Sequence, residues 1–320
     1  VPVPPRPVSR RLLVVGGMGA ATLVLGACDP IDDVLGSGDD PGVSGAVTPT
    51  APPADADSAL VEGVRSAVAT TGALATATAA AFPGLRVATR LARTHDAHAA
   101  ELGGGSGPAP AAPAVAADRA AARAALVTAE TGLRDRLVEA AHQAGSGGLA
   151  QVLASMAAAL SQAVVGRGAL PIAPLPAVAG DPPPAVEALQ TTLAAEHAAV
   201  FVYGVLGGQT SASGSPALYA AVTSAYTTHR TRRDDLMARL EAAGADPVAA
   251  EPGYGLPADL GSPVAVTDRA RALEESATAT YAYLVASTTG DARAWAVDAL
   301  VDAALRIVGF GGRPDRLPGL

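Results

Sequence analysis

The chain has 320 residues, room for two domains of ordinary size, each able to bury a core of its own. Its net charge is −8, every basic residue is Arg, and Ala, Gly, Pro and Val dominate a composition with only 3% aromatics. An acidic, Lys-free chain with no Arg-rich face is expected to bind neither nucleic acid nor anionic lipid well, and its Ala-driven positive mean hydropathy does not mark a multispanning membrane protein.

The first element is "SRRLLVVGGMGAATLVLGAC" at residues 9–28. Arg10 and Arg11 precede a run of about 16 apolar or small residues, too short and too Gly-rich to span a bilayer comfortably. The run closes on Leu25-Gly26-Ala27-Cys28, which resembles a bacterial lipobox. That resemblance implies lipid on the Cys28 sulfur, with cleavage leaving Cys28 as the first mature residue. Cys28 is also the single cysteine, so it forms no internal disulfide. Ser9-Arg10-Arg11 followed by Leu12 and Leu13 resembles a twin-arginine export signal without its usual Phe and Lys. Residues 1–28 are therefore read as a signal peptide with a lipobox. The rest of the chain is expected outside the cell, anchored through that lipid to the outer face of the cytoplasmic membrane. Residues 29–57 carry Asp, Gly, Pro, Ser and Thr without apolar periodicity, the composition of a flexible tether.

Beyond the tether no segment alternates as a strand does, while apolar spacings of three and four recur. They predict an all-α fold of eight helices, near residues 58–82, 85–102, 116–144, 148–166, 184–206, 215–243, 266–288 and 291–308. The breakers are "GGGSGPAPAAP", "PIAPLPAVAGDPPP" and "GADPVAAEPGYGLPADLGSP". The second of these holds the linker, 171–183, between a four-helix unit at 58–170 and a C-terminal domain at 184–320. The halves echo each other. "THDAHAAEL" at 94–102 aligns with "THRTRRDDL" at 228–236, and "LSQAVVGRG" at 160–168 with "ALRIVGFGG" at 304–312. The first unit is accordingly read as a diverged copy of the second.

In the second half, "LQTTLAAEHAAVFVYGVLG", "HRTRRDDL", "EPGYGLP", a helix carrying Glu274 and Glu275, and the closing "LPGL" follow in order. Together they resemble the actinobacterial DUF4439 family, over residues 184–320. The family is assigned to the ferritin-like superfamily. The resemblance therefore implies an up-down four-helix bundle with a long second connection at "EPGYGLP", and it brings no activity with it. Ferritin-like relatives with a dimetal site carry one Glu on each of two helices and Glu-x-x-His on the other two. Neither Glu-x-x-His is present in residues 184–320. Tyr226 stands three before His229, and the eighth helix offers Asp298 and Asp302 without a histidine.

At about 100° per residue, Leu189, Leu193, Glu196, Val200 and Tyr203 share a stripe of the fifth helix, with His197 at its margin. His229 lies near the centre of the sixth helix's apolar face, and Arg232 is on the same side. Glu274 is marginal to the seventh helix's stripe. In the first half His95, His98 and Glu130 point inward. A buried carboxylate is costly unless it is paired or bound to a metal, so two readings follow. In one, Glu196 pairs with His229 or Arg232, and Glu130 with His95 or His98, as polar layers in a non-enzymatic envelope module that binds or scaffolds a partner protein. In the other, Glu196 and His229 hold iron or manganese in a metal-dependent oxidase or a metal store, either as a dimetal centre with Glu274 or as a single-metal site with His197, and His95, His98 and Glu130 form a metal cluster in the first half. Tyr203, Tyr226, Tyr281 and Tyr283 are read as core, and Tyr254 as a plug at the bundle end.

Overall fold

The computed structural model describes residues 56–104, 110–111, 113–164, 183–257 and 259–320. The readings at Arg10, Arg11 and Cys28, the tether up to residue 55, and most of the linker lie outside the described residues. Among the described residues there are eight helices and no strand. They are α1 (Ala56–Ala81), α2 (Arg86–Glu101), α3 (Arg119–Gln143), α4 (Gly147–Val164), α5 (Pro183–Gly208), α6 (Pro216–Ala242), α7 (Pro263–Ser287) and α8 (Gly290–Gly309). Each lies within a few residues of a predicted segment.

Local chemistry accounts for the ends. The Asp118 carboxylate accepts from the Ala121 amide at 2.8 Å and starts α3. Ser262 does the same for Ala265 at 3.1 Å, with Pro263 at the first position of α7. At the end of α6, Gly244 takes a φ of +72°, and the Ala245 amide returns to the Leu240 carbonyl at 2.9 Å. That 6→1 closure requires a left-handed residue, which glycine adopts without a Cβ clash.

The two halves repeat a packing scheme. In the first, α1 packs on α2 and α3, and α3 on α4; in the second, α5 packs on α6 and α7, and α7 on α8. The halves meet where α4 lies against α7 and α8 and α3 touches α8. α4 is long and apolar enough to cross a membrane by composition, but every residue from Leu153 to Ala163 is buried inside the protein. A helix apolar all round is a core helix. One hydrophobic cluster takes Val68, Leu91, Leu137, Leu160, Leu193, Leu240, Tyr281 and Leu300 from all eight helices, so residues 58–164 and the second half share a core.

The C-terminal segment, residues 313–320, stitches this junction. Ser155 Oγ donates to the Pro318 carbonyl at 2.9 Å, and Gln162 Oε1 accepts from the Asp315 amide at 2.8 Å. Gln162 Nε2 donates to Ala304 O at 2.6 Å, and His98 Nε2 donates to Arg316 O at 2.8 Å. Arg293 of α8 donates to the Ala144 carbonyl at 2.5 Å, closing the end of α3.

Candidate functional site: a layer of compensated charge

The second half has a smaller apolar cluster of Val202, Tyr203, Leu206, Val222, Ala225, Val266, Ala270 and Phe310. Between it and the large core, three helices each present a polar residue. On α5, Glu196 follows Leu193 and precedes Val202. On α6, His229 and Arg232 lie between Ala225 and Leu236. On α7, Glu274 lies between Ala270 and Tyr281. All four polar side chains are buried.

His229 is the hub. Its Nδ1 lies 2.7 Å from Glu196 Oε2, and its Nε2 3.4 Å from Glu274 Oε1. With a carboxylate at each ring nitrogen, both nitrogens must donate, which makes the ring an imidazolium. Burial alone would lower the His229 pKa, but the two carboxylates outweigh it and raise it to about 9. Tyr203 stacks on the imidazole, centroids 5.2 Å apart, and donates to Glu274 Oε1 at 2.6 Å. Tyr281 donates to Glu196 Oε1 and accepts from Arg232 Nη1 at 3.1 Å. Both phenols are held well above their usual pKa, first by burial and then by the neighbouring carboxylates, with Arg232 opposing at Tyr281. Arg232 Nη2 donates to Asp302 Oδ2 at 2.8 Å, and Arg306 Nε donates to the same oxygen at 2.8 Å. The network thus sets Glu196, Glu274 and Asp302 against His229, Arg232 and Arg306.

Above the layer a cavity of about 320 Å³ opens between α5 and α7. Glu196, His229 and Tyr281 line its floor, Ala199, Val202 and Leu273 its walls, and Tyr254 its rim. The Tyr254 ring lies 5.4 Å from that of Phe201 and its hydroxyl accepts from the Glu251 amide at 3.1 Å.

The first half has a smaller layer. His95 Nε2 lies 2.8 Å from Glu130 Oε1, with both side chains buried. His98 turns to the C-terminal segment instead; burial lowers its pKa to about 4, so it is neutral and donates from Nε2.

Of the four residues considered as metal ligands in the second half, Glu196, His229 and Glu274 converge and His197 does not. His197 is half-buried and donates from Nε2 to the Val248 carbonyl at 3.0 Å, tacking down the connection after α6. Glu274, expected at the margin, is fully buried. Its stripe, Val266, Ala270, Glu274 and Thr278, is made of residues too small and too mixed to stand out as hydrophobic. Asp302, expected at a surface flank, is buried by its bond to Arg232. The two glutamates approach opposite edges of one ring, Glu196 at Nδ1 and Glu274 at Nε2. Among the described residues no group of three or more His, Cys, Asp or Glu is arranged to hold a metal ion. The expected absence of an Arg-rich face does not hold, because Arg86, Arg90, Arg93 and Arg316 line one cleft. Of the tyrosines read as core, Tyr203 and Tyr281 are core and hydrogen-bonding members of the layer at once, Tyr226 is half-buried, and Tyr283 is exposed because it lies on the outer face of α7.

The fold and site define an all-helical protein whose second half closes around a buried, internally neutralised polar layer. Residues 188–320 match the model of the family described as "Domain of unknown function (DUF4439)". That match spans α5 to α8 from Ala188 onward. No curated protein and no solved structure matches the chain.

Proposed function

We propose that this chain is a non-enzymatic binding or scaffolding module of an actinobacterial cell envelope. It is exported through the twin-arginine signal at Arg10 and Arg11 and held at the outer face of the cytoplasmic membrane by lipid on Cys28. Its second half is a ferritin-like four-helix bundle in which a polar layer stands where relatives bind metal, and its first half is a diverged copy. The observation that carries this reading is the double engagement of His229 beside Arg232, which neutralises Glu196 and Glu274 from within the protein. What remains for a ligand is the apolar-walled cavity above the layer. The copy is supported by correspondence of place. His95 and His229 occupy the same position in the sequence echo, each on the second helix of its half, and each faces a glutamate on the third helix. Where α5 brings Glu196 to His229, α1 brings Gly72 against the His95 Cβ.

The alternative is a metal-dependent oxidase or metal store built on Glu196 and His229 with iron or manganese. One observation favours it: Glu274 Oε2 is buried with no hydrogen-bond partner. Incubating the full-length protein with Fe(II) and Mn(II), then measuring bound metal by mass spectrometry, separates the two. The expected result is no stoichiometric metal in the wild type, with Glu196→Ala and His229→Ala both less stable. Near-stoichiometric metal that both variants lose would replace the scaffold reading with the metal one.

A further inference from the structure

A second cleft lies between α2, α4 and the C-terminal segment, with a volume of about 450 Å³. Arg86, Arg90 and Arg93 follow one another at spacings of four and three, so they share one face of α2. Arg316 reaches in from the C-terminal segment. Arg90 Nη2 donates to the Ala163 carbonyl at 3.3 Å, which tethers that guanidinium by one donor. Asp315 is the single acid among the lining residues. Its Oδ1 accepts from the Arg316 and Leu317 amides at 2.6 and 3.4 Å, which commits it to its own turn. None of the four guanidiniums is ion-paired with a carboxylate among the described residues.

The arrangement runs against the chain's own electrostatics. Like charges four apart on a helix repel. Arg86 also stands in the first turn of α2, at the positive end of the helix dipole. The α2 cap residue, Leu85, makes no side-chain cap hydrogen bond, so of the first-turn amides only that of Ala88 is closed, by the Leu85 carbonyl at 2.9 Å. A protein of net charge −8 nonetheless gathers four positive charges around one concavity. An oxyanion seated there would relieve all three costs at once. It would screen the repulsion, sit favourably at the helix N-terminus and fill the guanidinium donors.

We propose that this cleft binds a phosphate group, carried by a soluble phosphorylated molecule or by a lipid headgroup. The planar fork of Arg matches phosphate oxygens in pairs. A cleft of this volume is in the range of small-ligand sites, about 300–1,000 Å³. Thr89 adds a hydroxyl to the lining. The proposal is independent of the polar layer and of the cavity above it.

The test uses the full-length protein and two double variants. Arg90→Ala/Arg93→Ala empties the cleft of two charges, and Arg123→Ala/Arg136→Ala removes the same charge from exposed positions on α3. Binding of inorganic pyrophosphate is measured by titration calorimetry. Sedimentation with phosphatidylcholine vesicles, with and without phosphatidylglycerol, is measured in parallel. The three proteins share an N-terminus, so differences between them report on the substituted positions. The expected result is about tenfold weaker binding per cleft arginine removed, about 1.4 kcal/mol each, with the α3 variant unchanged and thermal midpoints equal. A loss confined to pyrophosphate assigns a soluble ligand, and one confined to phosphatidylglycerol vesicles assigns a headgroup. A cleft variant that matches the wild type in both arms overturns the proposal. So does equal weakening in both variants, which would reduce the effect to net charge.

Discussion

At the scale of single residues, His229 decides the behaviour of the layer, because it is the cation between two buried carboxylates. Removing one member of a buried ionic set leaves the others uncompensated, at a cost of about 3–5 kcal/mol. His229→Ala is therefore expected to lower the urea midpoint by that equivalent, at unchanged denaturant dependence. The pH dependence has a definite sign. The folded-state pKa of about 9 exceeds the ordinary 6.5, so the stabilisation is complete below pH 6.5 and is lost as pH rises through about 9. His98 behaves oppositely. Its pKa is depressed to about 4 by burial, so the unfolded chain takes up a proton first and stability falls as pH drops from 6.5 towards 4. Thermal midpoints measured from pH 4 to 9 should pass through a maximum near 6.5. His229→Ala should flatten the alkaline limb and leave the acid limb. An alkaline limb that survives in His229→Ala would show that the imidazolium is not its source.

At the scale of elements, the halves approach closely where the start of α4 meets the end of α7. A Cβ placed on Gly147 would overlap the Ala286 carbonyl oxygen, whereas one on Gly148 would meet only Ser146 Oγ at 3.8 Å. Gly147→Ala is accordingly expected to destabilise by about 1–3 kcal/mol, the range for overpacking. Gly148→Ala should be neutral or mildly stabilising through helix propensity. Equal denaturation midpoints for the two variants would mean that the helices do not approach as closely as described. The helices themselves were legible in the sequence because Pro, Gly, Asp and Ser punctuate them and apolar spacing of three and four fills them. The inward turn of Glu196, His229 and Arg232 was legible for the same reason. Glu274 was not, since Ala and Thr beside it carry too little hydrophobic contrast to mark a face. Asp302 was misread because Asp302 and Arg306 make an ordinary i,i+4 pair whether or not a third residue, Arg232, buries it. The arginine cleft escaped notice because Arg316 is more than 200 residues from Arg93 in the chain. No local pattern reports that the C-terminal segment returns to α2.

At the scale of the whole molecule, the family match and the packing draw different boundaries. The match covers residues 188–320, yet α4 of the first half lies against α7 and α8 and contributes Leu153, Met156 and Leu160 to the core they share. Burying those three side chains is worth roughly 1.5–3 kcal/mol each, an amount comparable with the stability of a whole domain, about 5–15 kcal/mol. Arg293 and Gln162 add hydrogen bonds across the same junction. Neither half can therefore unfold without exposing the apolar face of the other, and residues 58–320 should melt as one cooperative unit. Trp295, the single tryptophan, sits buried in α8 and its ring faces Arg239 of α6. Its fluorescence reports on the second half, while far-UV circular dichroism averages over all eight helices. The two signals should trace one coincident urea transition. If the circular dichroism shows a second transition that the fluorescence lacks, the first half is an independent folding unit, and the contacts made by α4 do not couple it to the domain matched by the family.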